Sequence, residues 1–410
     1  METGMRSSHS SRASAALEVL AVFLRLGLTC FGGPIAHLGY FRREFVELRR
    51  WLDDETFTDL VGLCQFLPGP ASSQVGFSIG LLRAGWLGGL AAWFGFTLPS
   101  VLLLLGFAVV APSLGGPLGS GLIHGLKLVA VAVVAQAVWD MARRLCPDRR
   151  RAAIALIAIV VLAILTTVYA QLIVIALGAV LGLGLCERTS SDTRRGPQHT
   201  HGFRVSRTVG TVALILFCVL LLGLPALVGL HAGQAVKVFE AFYRSGALVF
   251  GGGHVVLPLL QQQTVATGWV SPNDFLAGYG AAQAVPGPLF TFAAFLGWMM
   301  ADAPNHWSGA LLATAGIFLP GLLLVLAALP YWQALRAHPS MTALLAGVNA
   351  AVVGLLASAL YSPVWTSAVL SELDFAIAAI GFFLLTRWKI PPLVVVVLCA
   401  LAGVAEATLH

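Results

Sequence analysis

Two arginines, Arg25 and Arg244, lie in apolar stretches and open the same pattern twice: Arg25-x-Gly27-x-x-x-Phe31-Gly32-Gly33 and Arg244-x-Gly246-x-x-x-Phe250-Gly251-Gly252. An arginine near the bilayer centre costs at least roughly 2.5–3.5 kcal/mol on insertion scales, so it is a functional candidate by default. Its planar fork of donors suits oxyanions. The competing reading is an internal ion pair, Arg25 with Glu18 and Arg244 with Glu240, or a side chain that snorkels to an interface. The glycine pairs allow close backbone approach, and a helix starting after Gly33 or Gly252 presents free N–H groups with a partial positive charge.

A second pattern also repeats: Gln65-Phe66-Leu67-Pro68-Gly69-Pro70 returns as Gln283-Ala284-Val285-Pro286-Gly287-Pro288. Pro-Gly-Pro removes donors and breaks a helix, and lipid cannot satisfy the backbone groups so freed, which must face protein or a water-filled cavity. Gln65 and Gln283 could donate side-chain amides there, and Ser72, Ser73 and Gln74 add hydroxyl and amide groups, unless the serines back-bond within their own helix. Lys127, matched by Asn349, is a further buried-cation candidate. His37 and His254 lie beside the glycine breaks, where they could titrate or satisfy nearby backbone. Gly85-x-x-x-Gly89 reads as helix packing.

The chain that positions these residues is 58% hydrophobic and 10% charged over 410 residues, with a mean hydropathy of +0.88. A soluble domain carries roughly a quarter charged residues, so this composition points to a polytopic membrane protein. Its net charge of +6 is mostly arginine in polar connectors, which suits membrane topology and not nucleic-acid binding. No phosphate-binding glycine-rich motif occurs. The six cysteines are scattered without a C-x-x-C pair and read as apolar fillers, and His199-x-His201 lies in a polar linker. No catalytic residue, metal site or cofactor is expected.

Runs long enough to span a bilayer, about 20 residues each, fall near 86–111, 118–141, 152–168, 170–187, 208–230, 307–331, 341–362, 372–388 and 391–408, with 152–168 and 372–388 marginal by length. Four segments are apolar but interrupted: 15–33, 57–82, 235–256 and 273–300. The similarity between halves continues through Trp51 and Trp269, Phe57 and Phe275, Gly62 and Gly280, Phe77 and Phe295, Pro99 and Pro320, and Gly125 and Gly347. The expected organisation is a polar N-terminus at 1–14, a first repeat at 15–187, a linker at 188–207, an extra helix at 208–230 and a second repeat at 231–410. Six segments, one extra helix and six more place the second repeat upside down. The expected fold is all-α: an inverted-topology duplicated bundle with broken or re-entrant helices in each half, the arrangement in which paired breaks mark a transporter's binding site.

Arginine-rich connectors at 142–151 and 188–207 put the N-terminus and linker in the cytoplasm, with Arg336, Arg387 and Lys389 on the same side. Segment 34–56 resists this count, since Arg42, Arg43, Arg49 and Arg50 would fall outside. If 15–50 and 57–82 are re-entrant hairpins turning at Gly32-Gly33-Pro34 and Pro68-Gly69-Pro70, these arginines become cytoplasmic and every later assignment survives. Glu44, Glu47, Asp53 and Asp54 also suit an amphipathic surface helix, and the sequence leaves both open.

Phe31-Gly32-Gly33-Pro34-x-Ala36-His37 with Phe41-Arg42-Arg43-Glu44-Phe45-Val46, the Gln65–Pro70 motif with Ser72-Ser73-Gln74, and Arg83-x-Gly85-x-x-Gly88-Gly89 resemble the chromate ion transporter (CHR) family. Phe250-Gly251-Gly252-Gly253-His254 with Gly278-Tyr279-Gly280 and the Gln283–Pro288 motif resembles its second homologous domain, so the chain is similar to the long two-domain form. The resemblance implies export of chromate through a bacterial inner membrane, conferring chromate resistance, driven by membrane potential or a proton gradient. The implied partners are chromate, its shape analogue sulfate, the lipid bilayer and a second copy in a homodimer. The residues alone reach an oxyanion transporter. Sulfate transport with incidental chromate activity, or a channel-like membrane subunit, stays open beside the exporter.

Overall fold

The computed structural model describes residues 12–113, 116–165, 170–186, 205–331 and 339–409. The linker arginines other than Arg207, with Arg336, His199 and His201, lie outside them. The described residues are helical: α1 (Arg12–Thr29), α2 (Gly33–Phe41, extended by a π-helical stretch Arg42–Leu48), α3 (Asp54–Phe66), α4 (Ala71–Val110), α5 (Gly116–Leu145), α6 (Arg149–Ile164), α7 (Ala170–Leu185) and α8 (Arg207–Gly229). Then come α9 (Gln234–Ala247), α10 (Val256–Thr264), α11 (Pro272–Ala284), α12 (Phe292–Met299), α13 (His306–Ala328), α14 (Pro339–Ala359), α15 (Glu372–Thr386) and α16 (Pro392–Leu409).

The interrupted segments are hairpins. Phe23 on α1 meets Phe41 at 5.6 Å and stacks on Phe45 at 5.0 Å, so the chain doubles back between them. The open ends of that hairpin meet where Arg49 reaches Glu18 at 3.3 Å. Glu18 also receives Arg83 at 2.9 Å, from the returning arm of the second hairpin. Trp51 lies under both guanidinium groups, 5.5 Å from Arg49 and 5.1 Å from Arg83. Segments 15–50 and 57–82 therefore double back as hairpins, the geometry that the re-entrant path requires, with both breaks at the opposite end from these charges. In the second repeat, Arg244 joins α9 to α10 through Gln263 at 2.7 Å. The Ala301 N–H donates to the Trp269 carbonyl at 3.1 Å, closing α11 and α12. Trp51 and Trp269 thus mark the same junction in both halves.

α4 is two helices joined at a break where Ala84 has φ −137° and Gly85 has φ +67°. Gly80 packs directly on Gly88 across that break, and Gly297 on Gly309 at the matching turn. Gly89 packs on Phe77 and Leu81, whereas Gly85, with nothing near it, supplies the turn.

Five stretches are long and apolar enough to cross a membrane: Ala71–Val110, Gly116–Leu145, Arg207–Gly229, His306–Tyr331 and Ser340–Ala368. The runs expected at 152–168, 170–187, 372–388 and 391–408 form shorter helices of 15 to 18 residues. At 1.5 Å per residue these reach about 23–27 Å, under the roughly 30 Å hydrocarbon thickness. Asp148 and Ser371 cap α6 and α15 and fix where they begin. The outer two helices of each repeat pack on the other repeat: α16 and α15 on α5, and α7 and α6 on α14. Glycines permit the close crossings, with Gly121 and Gly125 on Gly403 in one case and Gly178 and Gly182 on Gly347 in the other. The halves are therefore interlocked. α8 lies against α9 and α13 and leaves Leu214, Ile215, Val219 and Leu222 exposed.

Candidate functional site: crossed hairpin tips

The four breaks are built on glycines in the left-handed region: Gly32 and Gly33 at φ +98° and +79°, Gly251 and Gly252 at +77° and +147°, Gly69 at +116° and Gly287 at +94°. A side chain is strained at each of these φ values. The tips then cross between repeats. The Gly69 N–H donates to the Val249 carbonyl at 2.8 Å, and the Gly287 N–H donates to the Cys30 carbonyl at 2.8 Å. Gly69 and Gly287 occupy matching positions, as do Cys30 and Val249, so one contact is the other with the repeats exchanged.

Each tip is braced by the proline-kinked helix of the other repeat. Ser100, just after Pro99, donates to the Pro286 carbonyl at 2.5 Å. Gly321, just after Pro320, lies against Gly69, and its carbonyl accepts from Gln74 Nε2 at 3.0 Å. The same amide donates to the Pro68 carbonyl at 2.9 Å. A Cβ at Gly287 would collide with Ser100 Oγ, and one at Gly69 would lie 3.0 Å from Gly321 Cα. The Pro68 and Pro286 carbonyls are thus satisfied by protein, as an irregular backbone at membrane depth requires.

Around the tips, several enclosed polar atoms have no partner: Ser73 Oγ, Gln74 Oε1 and Thr97 Oγ1. His37 is buried, 3.4 Å from Ser72 Oγ and edge-on to Phe96. His254 Nδ1 lies 2.8 Å from the Tyr279 hydroxyl. Buried polar groups without partners cost about 1–3 kcal/mol each, so this concentration marks a place built to meet a polar guest or water.

The two arginines are not equivalent. Arg244 lines a small cleft with Gln171, Ser245, Gln262 and Gln263. Its Nε is 3.1 Å from Glu240 Oε1, the anticipated helical pair, with side chains 18% and 8% exposed. Arg25 is exposed and has no ion pair among the described residues. The pairing anticipated between Arg25 and Glu18 is absent, because Glu18 is taken by Arg49 and Arg83. Gln65 is likewise exposed where Gln283 is half-buried. Lys127 lies elsewhere, donating to Asn273 Oδ1 at 2.7 Å near the start of α11, roughly 18 Å along that helix from its tip. Sequence reasoning missed Ser100, Gln171, Gln262 and Gln263. The signal for three of them was an uncharged amide in an apolar run.

No solved structure matches this chain. The sequence matches the Chromate transporter family over residues 17–183 and 236–404, once in each repeat. It is 30% identical over 402 residues to a chromate transport protein of Pseudomonas aeruginosa, covering 95% of this chain and 91% of that protein. It is 27% identical over 404 residues to a probable chromate transport protein of Synechococcus elongatus, covering 97% of each. A chromate transport protein of Cupriavidus metallidurans is 24% identical over 365 residues, covering 87% and 84%. With both repeats matched and the crossed tips carried on the repeated motifs, the chain is a multi-pass membrane transporter, not an enzyme, and belongs to the chromate transporter family.

Proposed function

We propose that this protein exports chromate across a bacterial inner membrane, with its N-terminus in the cytoplasm and the crossed tips as the anion site. The observation that carries the reading is the reciprocal pair of tip contacts, Gly69 to Val249 and Gly287 to Cys30, surrounded by enclosed polar atoms without partners. Broken backbone, amides and hydroxyls from both repeats gather at the crossed tips, and that donor-rich chemistry suits a tetrahedral dianion. The names of the full-length relatives, chromate transport proteins, support chromate as that dianion. In this reading the substrate-contacting groups are Arg25, Gly32, Gly33, Gln65, Pro68, Gly69, Pro70, Ser72 and Ser73, with Arg244, Gly251, Gly252, Gln283, Pro286, Gly287 and Pro288 from the second repeat. His37 and His254 stand just behind them.

Direction follows from charge. Moving one charge through 100 mV is worth about 2.3 kcal/mol, so a dianion leaving a negative interior gains about 4.6 kcal/mol. Uptake would need more than two co-transported cations to overcome this. Inverted membrane vesicles carrying the protein should accumulate chromate when energised, and excess sulfate should reduce the uptake. Uptake no greater than in vesicles lacking the protein would refute export. Strong sulfate accumulation with only trace chromate would reassign the substrate.

A further inference from the structure

His124 on α5, Asp374 in the first turn of α15 and Glu406 on α16 converge far apart in sequence, with one possible ligand atom from each lying within 4.8 Å of the others. His124 Nε2 is 2.5 Å from Asp374 Oδ1. Asp374 is 1% exposed, and its Oδ2 accepts from the Leu370 and Ser371 N–H groups, both at 2.9 Å. Glu406 Oε2 is enclosed and has no donor. A carboxylate oxygen shut away from water without a donor is an open ligand position.

Packing does not explain the trio. The other repeat holds the equivalent helices together through the same glycine crossings. There the matching positions are Ala346, Arg151 and Leu185, and Arg151 turns to its own cap Asp148 at 2.7 Å. The trio therefore exists on one side of the pseudo-twofold only. Lys127, one turn along α5, is engaged with Asn273 and does not supply the missing counter-charge.

An imidazole with two carboxylates is the donor set of zinc and its first-row neighbours, whereas magnesium and calcium favour oxygen alone. Backbone donors hold Asp374 in place, as outer-shell groups do for metal-binding carboxylates. The His124 side chain is 23% exposed, which leaves a path for entry and a side for a water ligand. We propose that His124, Asp374 and Glu406 form a divalent transition-metal site that ties α5 of the first repeat to α15 and α16 of the second. Ligand atoms around one tetrahedral ion stand about 3.3 Å apart, so binding replaces the His124–Asp374 hydrogen bond after a separation of under about 1 Å.

The test uses the full chain in detergent, stripped with chelator, incubated with zinc chloride and dialysed, with metal per chain counted by mass spectrometry. Other histidines and carboxylates of the chain, His199 and His201 among them, add background, so the count is compared with Glu406→Gln and His124→Asn; Asp374 is kept because it caps α15. The parent should retain one more zinc per chain than either variant, and zinc should raise the thermal midpoint of the parent only. Both variants should elute as the parent does in size exclusion. Equal zinc counts in parent and folded variants would overturn the proposal and leave the trio as an internal hydrogen-bonded cluster. Because the readouts are metal content and stability, failure of the chromate reading does not affect them.

Discussion

At the scale of single residues, the matched arginines diverge in a way that the sequence could not reveal. Both stand six residues before a Phe-Gly-Gly break, and both have a glutamate in helical reach. Which glutamate is free to pair depends on hairpin closure, and Arg49 and Arg83 arrive at Glu18 from distant parts of the chain. The consequence separates stability from transport. Removing one partner of a buried ion pair costs about 3–5 kcal/mol, so Arg244→Gln should lower protein abundance in the membrane, and Glu240→Gln added to it should restore abundance on an immunoblot. Arg25→Gln should leave abundance unchanged. In vesicles, Arg25→Gln and the double Arg244→Gln, Glu240→Gln protein should each show at least roughly tenfold weaker apparent chromate affinity, since a charge-assisted hydrogen bond contributes about 1.5–3 kcal/mol. Parent-like transport at normal abundance in a protein lacking both arginines would remove them from the site. Arg→Lys at either position keeps charge but loses the fork and should fall between.

At the scale of elements, the breaks themselves were legible because Gly-Gly and Pro-Gly-Pro disrupt any helix, and their repetition marked them as deliberate. Their partners were not. Nothing in Val249 or Cys30 announces that its carbonyl will receive a glycine N–H from the other repeat, and Ser100 earns its role only because Pro99 aims it at the opposite tip. Gly287→Ala combines a strained φ of +94° with a collision at Ser100 Oγ, so transport should be lost and abundance reduced. Adding Ser100→Ala removes the collision but not the strain, and leaves the Pro286 carbonyl without its donor; recovery should therefore be incomplete. Gly85→Ala supplies the comparison, with positive φ but open surroundings, and should cost about 1–3 kcal/mol of strain without a collision. If Gly287→Ala transported as well as Gly85→Ala, the crossed tips would not be the working part.

The hairpins also make a topological prediction. The arginine count alone could not choose between a spanning and a re-entrant path; the contacts of Phe23 and Glu18 settle the local geometry. In a cysteine-free background, Arg49→Cys and the linker marker Arg195→Cys should both resist an impermeant thiol reagent applied to intact cells and react in inverted vesicles. Labelling of the position 49 cysteine from outside would put the charged ends of both hairpins on the opposite face from the linker.

At the scale of the whole molecule, duplication was the most readable property, whereas interlocking and asymmetry were invisible, because they depend on which half a helix chooses as its neighbour. α5 runs along α11 of the second repeat, but α14, its counterpart, has no comparable contact with α3 among the described residues; it lies instead against α10. Both long scaffold helices thus lean on the second repeat's hairpins, leaving Arg25 and Gln65 exposed while Arg244 and Gln283 are covered. An inverted repeat caught in one asymmetric arrangement implies a second, in which the two halves exchange conformations. The contact to exchange is Lys127 with Asn273, 2.7 Å apart here, whose counterparts are Asn349 and Glu55. Asn349 now stands beside Gly251. Paired substitutions Lys127→Cys with Asn273→Cys should therefore be bridged readily by a short, reducible bifunctional thiol reagent in resting membranes and stop transport. Glu55→Cys with Asn349→Cys should cross-link only while chromate is being moved, and should also stop it. A reducing agent should restore both. Transport that continues with the Lys127 and Asn273 positions bridged would mean that this contact never opens, and the asymmetry would then be a fixed feature of the fold, not one half of a cycle.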